Sequence, residues 1–271
     1  MLAAATEASV VLTRPHGKNE ALATRLAQAG LNALILPALH IEPLDRQAPL
    51  PLPEHYDLIV FVSGNAARFY MDRLAVLRPA ASWPAATRAA TVGAPSARYL
   101  QDYSGIPASQ IVHPGAQCAT QDSEGLWAVL QPMLADLKRV LIVRGQAGRE
   151  WLGERFQQAG IQVDRLPLYN RRAAIWDGRQ GGALAAALHA PGPCVFLLTS
   201  GEGVDAVQAN ILRLGLQEAW RRSRFVAIHE RVASRLQSAL AASGKVESPM
   251  VKLCQPDDDA IFQALVRTAS L

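Results

Sequence analysis

Short polar segments rich in serine, threonine, glycine and arginine follow six of the apolar runs in this chain. Glycine lets the backbone approach a ligand closely, because it has no side chain to collide with it. A helix that begins in such a segment directs free N–H groups and the positive end of its dipole outward. Together with hydroxyl and guanidinium groups, these features suit a ligand that carries carboxylates or phosphates. The six segments are Thr13-Arg14-Pro15, Ser63-Gly64-Asn65, Gly93-Ala94-Pro95-Ser96, Arg144-Gly145-Gln146, Thr199-Ser200-Gly201 and His229-Glu230.

The hydroxyl groups in these segments also have a purely structural explanation. Serine and threonine are common at the start of a helix, because their side chains accept a hydrogen bond from a backbone N–H there. For any one segment, helix capping is the simpler interpretation, but six segments at strand ends favour a ligand cleft. His229 is the only one of the six histidines at a strand end, and the others are too scattered for a metal site. The candidate ligand-binding residues are Arg14, Ser63, Gly64, Asn65, Gly93, Ser96, Arg144, Gly145, Thr199, Ser200, Gly201 and His229.

Composition limits the class of ligand and the compartment. The net charge of +4 and the pI of about 9.2 fit an anionic ligand, but no cluster of basic residues indicates nucleic acid. The three cysteines do not form a disulfide framework or a zinc motif, and Cys194 lies in an apolar run as a structural thiol would. No run approaches the ~18–20 apolar residues of a membrane span, and Met1–Glu7 does not resemble a secretory leader. We therefore expect a cytoplasmic protein that binds neither nucleic acid nor membranes.

Several familiar catalytic and nucleotide-binding motifs are missing from the sequence. No GxGxxG segment follows an apolar run, and no Walker loop, GxSxG elbow or HExxH motif occurs. Asp257-Asp258-Asp259 has two interpretations, a cation site or the cap of the helix that begins near Ala260. The sequence thus argues against a nucleotide-dependent enzyme and a metalloenzyme.

Alternating strand and helix patterns must position the polar segments. Short, continuously apolar runs such as Leu58–Val62 and Val140–Val143 are typical of parallel strands that are buried on both faces. Each run leads through a polar segment into a helical pattern, as in Asn19–Ala29, which Gly30 ends. This alternation predicts a doubly wound α/β architecture with parallel sheets.

The chain repeats its own landmarks, which indicates two related halves and hence two similar lobes. Three landmarks recur at a spacing of 130 residues: Arg14 with Arg144, Gly30 with Gly160, and Pro37 with Pro167. Each proline ends an apolar run and precedes a further extended piece, as a chain that crosses twice between lobes would require. From the pattern alone, interleaved lobes and two lobes divided in sequence near residue 135 fit equally well.

An ordered set of short motifs extends over nearly the whole chain. Its members are Leu12-Thr13-Arg14-Pro15, Tyr56-Asp57, Val62-Ser63-Gly64-Asn65-Ala66, Val92-Gly93 with Ser96-Ala97, His113-Pro114, Asp122–Leu126, Val143–Glu150, Leu166–Arg171 and Phe196–Gly201. In this order, the set resembles the uroporphyrinogen-III synthase family, and its RGxxGR and LxYxR segments are the most specific parts.

The resemblance implies two similar doubly wound parallel-sheet lobes joined by a two-stranded linker, with the first and last segments of the chain in one lobe. It therefore selects the interleaved arrangement. The bounds that we expect are 1–37 with 173–271 for the first lobe, 42–167 for the second lobe, and 38–41 with 168–172 for the linker strands.

The resemblance also implies an activity. Members of the family are lyases of tetrapyrrole, porphyrin and heme biosynthesis that convert hydroxymethylbilane, a linear polycarboxylate tetrapyrrole, into uroporphyrinogen III. The reaction loses water and inverts the last pyrrole ring, and it needs no metal or organic cofactor. The family usually acts as a monomer. Tyr169 occupies the family's linker tyrosine position, which implies a proton donor to the departing hydroxyl group, and its alternative role is to pack against one lobe.

Departures from the family pattern and one competing function stay open at this stage. Ser96 stands where members often have threonine, which keeps a hydroxyl group, whereas His229 stands where glycine is common. Extra glycine after Ser200 leaves the shape of that loop open. The alternative function is a two-lobed small-anion-binding protein without catalysis. Contact with the preceding enzyme of the pathway is also left open.

Overall fold

A computed structural model describes residues 8–44, 49–79, 82–115, 118, 120–242 and 249–271. The chain forms two compact units, Met1–His40 with Arg172–Leu271, and Ile41–Arg171. It therefore passes from one unit to the other twice, at residues 40–41 and 171–172. The prediction made for the segment Met1–Glu7 falls outside the described residues.

Strands and helices alternate along most of the described chain. The strands are β1 (Ser9–Leu12), β2 (Asn32–Ile35), β3 (Leu39–Pro43), β4 (Leu58–Phe61), β5 (Arg88–Thr91), β6 (Ile111–Val112), β7 (Arg139–Gly145), β8 (Gln162–Ala173), β9 (Cys194–Leu198), β10 (Arg224–Ala227) and β11 (Val251–Leu253). The α-helices are α1 (Glu20–Gln28), α2 (Gly64–Leu77), α3 (Ala94–Ser104), α4 (Ser123–Leu130), α5 (Trp151–Gln158), α6 (Gly178–His189), α7 (Gly201–Leu214), α8 (Gln217–Arg221), α9 (Glu230–Ala242) and α10 (Asp258–Ser270).

The first unit is built on a five-stranded sheet with the order β11-β10-β9-β1-β2. All four pairs of neighbouring strands are parallel. In chain order within the unit this is the 2-1-3-4-5 arrangement of flavodoxin-like folds. Alternate residues of β1 enter two different cores, with Val11 on one face and Val10 and Leu12 on the other. Both faces of this sheet are therefore covered, as the continuously apolar strand sequences predict.

The second unit is built on a six-stranded sheet with the order β3-β8-β7-β4-β5-β6. The strands from β8 to β6 pair in parallel and are covered on both faces, since Ile59 and Phe61 enter one core while Leu58 and Val60 enter the other. Apart from β3, the sheet has the same strand order as the first unit if β4 is matched with β9 and β7 with β1. The repeat in the sequence thus corresponds to a repeated sheet whose strands are connected in a different order.

Strand β8 differs from the prediction, because it continues through Pro167 rather than ending there. Between Arg144 and Gly145 the register with β7 shifts, so that Arg144 lies opposite Pro167 and Gly145 lies opposite Tyr169. The extra residue on β8 is Leu168, and such a bulge turns the following side chains to a new direction. Strands β3 and β8 cover residues 39–41 and 168–172, which is all but residue 38 of the segments that the sequence assigned to linker strands.

Two short edge strands and helices such as α4 and α6 had no sequence prediction. Strands β6 and β11 are only 2 and 3 residues long and carry exposed or half-buried side chains, so they have little apolar pattern. Helix α6 begins at a capping box in which Asp177 and Gln180 bond each other's backbone N–H groups. Among the described residues, no helix is long and apolar enough to cross a membrane.

Candidate functional site

The switch point of the second sheet lies between β4 and β7. Strand β4 leads to β5 on one side and β7 leads to β8 on the other, so the loops that follow β4 and β7 diverge at the carboxyl edge of the sheet. Ligands of open α/β sheets bind in the crevice that such diverging loops leave. Two of the six segments that the sequence selected lie here: Ser63-Gly64-Asn65 follows β4, and Arg144-Gly145-Gln146 spans the end of β7.

Tyr169 lies beside this switch point on β8, next to β7 in the sheet. Its side chain is buried, with 3% of the residue surface exposed. Its ring stacks on that of Phe69 with a centroid distance of 5.8 Å, and its hydroxyl oxygen lies 2.9 Å from Ser63 Oγ. The backbone N–H of Gln146 donates to the carbonyl of Tyr169 at 2.8 Å, which joins the strand to the loop after β7. Tyr169 and Ser63, separated by 106 residues in the chain, thus form one hydrogen-bonded pair.

Gly145 has a specific reason to be a glycine. A β-carbon at this position would lie 3.0 to 3.3 Å from atoms of the Tyr169 side chain, which is closer than ordinary packing allows. The sequence interpretation assigned Gly145 to close contact between the backbone and a ligand. The structure instead shows that Gly145 leaves room for the tyrosine ring, and its contact with a ligand stays a prediction.

The remaining candidates of the second unit lie near Ser63. Ser63 Oγ caps α2 by accepting a hydrogen bond from the backbone N–H of Ala66 at 3.1 Å. Gly64 follows at the first turn, and a β-carbon there would lie 3.6 Å from the hydroxyl oxygen of Ser96. Asn65 is half-buried in the same turn, and Gly93 is the buried residue before α3. The segments after β4 and β5 therefore place these residues at the carboxyl edge of the second sheet.

Arg144 lies near the end of β7, rather than after the strand as predicted, and its side chain is bonded to the loop that follows. The residue is 7% exposed, and its guanidinium donates to the carbonyl oxygens of Gly145 at 3.2 Å and Gly148 at 2.8 Å. A third hydrogen bond joins it to the carboxylate of Glu150. This geometry favours an arginine that holds the loop in shape over the predicted direct contact with a ligand.

The carboxylate of Glu150 also accepts a hydrogen bond from a second arginine. Arg165 Nε donates to its other carboxylate oxygen at 2.8 Å. Partial burial acts to raise the pKa of Glu150, but the hydrogen bonds from Arg165 and Arg144 outweigh it and hold the pKa below its ordinary value. The loop between β7 and α5 is therefore held by a charged carboxylate between two guanidinium groups.

The first unit has its own switch point between β1 and β9. Arg14 follows β1, its side chain is 14% exposed, and Nη1 donates to Asp258 at 2.6 Å. Its Nε is buried and has no hydrogen-bond partner among the described residues. Thr199 and Ser200 follow β9, and Ser200 caps α7 by accepting from the N–H of Gly203 at 3.0 Å. The predicted Arg14 and Ser200 segments thus lie at neighbouring strand ends of one sheet.

Two further first-unit segments are explained by helix capping. The ring nitrogen Nδ1 of His229 accepts a hydrogen bond from the N–H of Arg231 at 3.0 Å, so the ring proton of neutral His229 is on Nε2. In the acidic run, Asp257 caps α10 through the N–H groups of Asp259 and Ala260. Of the two interpretations of that run, the helix cap is confirmed.

The thiol of Cys194 is structural, as the sequence predicts. It lies in β9, is 6% exposed, and burial raises its pKa to about 12. A thiol with such a pKa stays protonated near neutral pH and is a poor nucleophile.

Comparison with known proteins decides the family. The sequence model of the family described as uroporphyrinogen-III synthase HemD matches residues 20–243. The uroporphyrinogen-III synthase of Salmonella typhimurium strain LT2 is 30% identical over 268 residues, which cover 95% of this chain and 99% of the relative. That of Escherichia coli strain K12 is 27% identical over 265 residues and covers 95% and 99%. The chain belongs to the uroporphyrinogen-III synthase family.

Solved structures of uroporphyrinogen-III synthases agree in fold. The enzyme from Helicobacter pylori 26695 superposes with a TM-score of 0.56 at 15% identity, covering 96% of this chain and 99% of that one. A mutant enzyme from Thermus thermophilus superposes with a TM-score of 0.54 at 17% identity, covering 97% and 99%. The predicted family and α/β fold are confirmed. The predicted activity class, a cyclising lyase of tetrapyrrole and heme biosynthesis, is confirmed too, and anion binding without catalysis is not favoured.

Sequence reasoning missed several residues that organise the site of this uroporphyrinogen-III synthase family member. Phe69, which stacks on Tyr169, is one apolar residue in a helix, and nothing in the sequence marks it. Glu150 and Asp258 pair with predicted arginines, but the sequence separates Asp258 from Arg14 by 244 residues. The one signal for Glu150 is its position directly after the RGxxGR segment.

Proposed function

We propose that this chain converts hydroxymethylbilane into uroporphyrinogen III, and that Tyr169 donates a proton to the hydroxyl group that leaves. The observation that carries the proposal is the Tyr169 hydroxyl, held 2.9 Å from Ser63 Oγ beside the carboxyl ends of β4 and β7. Ligands of such sheets bind at the switch point, and a phenol beside it has the chemistry of a general acid. Family membership supports the overall reaction, and the tyrosine geometry supports the role of this residue.

The steps of the reaction balance in atoms and protons. The proton from Tyr169 and the departing hydroxyl form one water molecule and leave an azafulvene cation. The substituted carbon of the last pyrrole ring attacks this cation and gives a spiro intermediate. Fragmentation and re-closure then invert the last ring, and loss of one proton to the phenolate restores Tyr169. The sum is hydroxymethylbilane to uroporphyrinogen III and water.

Orienting the flexible substrate is a larger part of the enzyme's task than donating a proton. Closure without an enzyme gives the isomer whose last ring is not inverted. The protein must therefore fold the linear tetrapyrrole so that the substituted carbon of its last ring is the one that attacks. Holding reacting groups in place can lower a barrier by ~7–11 kcal/mol in favourable cases. We infer that the substrate carboxylates bind to N–H, hydroxyl and guanidinium groups that follow the parallel strands. The residues proposed for this task are Gly64, Asn65, Gly93 and Ser96 in the second unit, and Arg14, Thr199, Ser200, Gly201 and His229 in the first.

The proposal extends to a monomer in the cytoplasm. The thiols of Cys118, Cys194 and Cys254 are free in the structure, which suits a reducing compartment. Light scattering after size-exclusion chromatography tests the monomer, with a mass near the 29.2 kDa of the chain as the expected result.

A coupled assay tests the proposed reaction. Hydroxymethylbilane is generated in situ, the protein is added, and the oxidised porphyrin isomers are separated. We expect isomer III to dominate, because the enzyme outruns spontaneous closure. A product mixture unchanged from the protein-free control, with isomer I alone, would contradict the proposal.

A further inference from the structure

The hydrogen bond between Ser63 and Tyr169 has a direction that the neighbouring atoms constrain. Ser63 Oγ already accepts a hydrogen bond from the N–H of Ala66 at 3.1 Å. A serine hydroxyl has one proton to donate and two lone pairs to accept. Ser63 can therefore still donate its own proton to the oxygen of Tyr169, 2.9 Å away, or accept the tyrosine proton on its second lone pair.

The first of these directions is favoured by its surroundings. A hydroxyl that accepts a hydrogen bond becomes a better donor, because the bonds in a chain polarise one another. The pair also lies at the N-terminus of α2, where the helix dipole stabilises negative charge. Both effects favour the arrangement in which Ser63 donates to the tyrosine oxygen and so also stabilises the phenolate that forms when Tyr169 gives up its proton.

The ring of Tyr169 is held in place, so its hydroxyl keeps this partner. Phe69 stacks on the ring at 27° between planes, and Gly145 lies close enough that a β-carbon would meet the ring at 3.0 Å. With the oxygen fixed and one of its lone pairs occupied by Ser63, the tyrosine proton is directed away from Ser63.

The repeated half of the chain lacks this pair. Ser200 occupies the position of Ser63 in the repeat and caps α7 through Gly203 at 3.0 Å. The residue 130 positions before Tyr169 is Leu39, which has no hydroxyl group. Capping is therefore common to both serines, whereas the bond to a tyrosine belongs to Ser63.

We propose that Ser63 is a positioning residue that acts through Tyr169, donating a hydrogen bond to its oxygen so that the tyrosine proton is free for the substrate. This assignment replaces the predicted direct contact of Ser63 with substrate, and it rests on the proposed role of Tyr169. It implies that removal of the Ser63 hydroxyl changes kcat more than KM, since the substrate itself loses no contact.

A double-mutant cycle tests the inference. Ser63→Gly removes the hydroxyl at a helix cap where glycine costs only a few tenths of a kcal/mol. We expect Ser63→Gly to lower kcat several-fold with KM unchanged, and Ser63→Thr, which keeps the hydroxyl, to restore kcat. In the Tyr169→Phe background, Ser63→Gly should cause no further loss, because there is no tyrosine oxygen left to position.

Controls separate this role from stability and from the proposed function. Ser200→Gly removes only the matched cap, so its thermal unfolding measures the cost of a lost cap, and Ser63→Gly should unfold at a lower temperature because it also loses the hydrogen bond to Tyr169. If Ser63→Gly does not fold, Ser63→Asp keeps the cap acceptor but cannot donate, and it should lower kcat likewise.

Two outcomes would contradict the role of Ser63 and leave that of Tyr169 intact. They are a rise in KM at unchanged kcat, and losses in kcat that multiply in the double variant. Wild-type kcat in Tyr169→Phe would overturn both roles, and the isomer III product would still identify the synthase reaction.

Discussion

A β-carbon on Gly145 would lie 3.0 Å from Cε2 of Tyr169 and 3.3 Å from its hydroxyl oxygen. One face of the ring is covered by Phe69, which is stacked on it at a centroid distance of 5.8 Å. A side chain on the last residue of β7 would therefore displace the tyrosine hydroxyl from Ser63. The identity of residue 145 and the position of the proton donor are thus linked by packing.

Gly145→Ala should lower kcat several-fold by shifting the Tyr169 ring. The expected effect on KM is smaller, since the carboxylate-binding groups at other strand ends are unchanged. Steady-state kinetics of isomer III formation measures both constants. Wild-type kcat in this variant would contradict the packing argument.

Gly182→Ala is the matched control for that substitution. Gly182 is exposed within α6, and a β-carbon there would meet nothing within 4 Å. Alanine in an exposed helix interior is more favourable than glycine by roughly 0.5–1 kcal/mol. We expect unchanged kinetics and a slightly higher unfolding temperature.

Glu150→Gln should change the pH dependence of stability. Because the folded pKa of Glu150 lies below the ordinary value of 4.5, the charged carboxylate stabilises the fold above that pH. This contribution is lost as the pH falls through the folded pKa. Urea unfolding from pH 7 to pH 3.5 should therefore show a difference between wild type and variant that is largest near neutrality and shrinks in acid.

Glu154→Gln controls for the loss of a carboxylate on the same helix. Glu154 is exposed on α5, so its replacement should leave the pH profile close to that of the wild type. A difference between wild type and Glu150→Gln that stays constant from pH 7 to pH 3.5 would show that the charge of Glu150 is irrelevant to stability.

Arg14→Gln tests whether the first unit binds a substrate carboxylate. Arg14 lies at the end of β1 with a buried, unpartnered Nε in the described part of the chain and one ion pair, to Asp258. We expect KM to rise several-fold with a small change in kcat. Arg25→Gln is the control, because Arg25 pairs with the adjacent Asp259 at 2.8 Å but lies on α1, away from the strand end. Equal KM values in the two variants would exclude Arg14 from binding.

The fold could be predicted well where strands are buried on both faces, because their sequences are then continuously apolar. Strands such as β4 and β9 are buried along their whole length, so their sequences are continuously apolar and mark them. The edge strands β6 and β11 escaped prediction because few of their side chains are buried. Gly30, which was expected to end a helix, does follow α1 and has a φ of 78°, a conformation that glycine adopts without strain.

The site could be predicted only in part, because side-chain partners depend on register. The sequence indicated that Ser63 and Gly145 follow strands, and parallel strand ends do share an edge. The hydrogen bond between Ser63 and Tyr169 depends on the bulge at Leu168, and no local sequence pattern predicts that bulge. Arg144 was predicted to meet a ligand because free and loop-bound arginines look alike in sequence, whereas its three hydrogen bonds are visible only in the structure.

The turnover of Tyr169→Phe, measured together with the isomer of its product, tests the central claim most directly. With enzyme in excess over hydroxymethylbilane, spontaneous closure cannot compete, and single-turnover rates report the enzymatic step. We predict a rate several-fold or more below that of the wild type and a product that is still isomer III, because proton donation is lost while orientation of the substrate is kept. A wild-type rate would contradict the role of Tyr169 in the reaction.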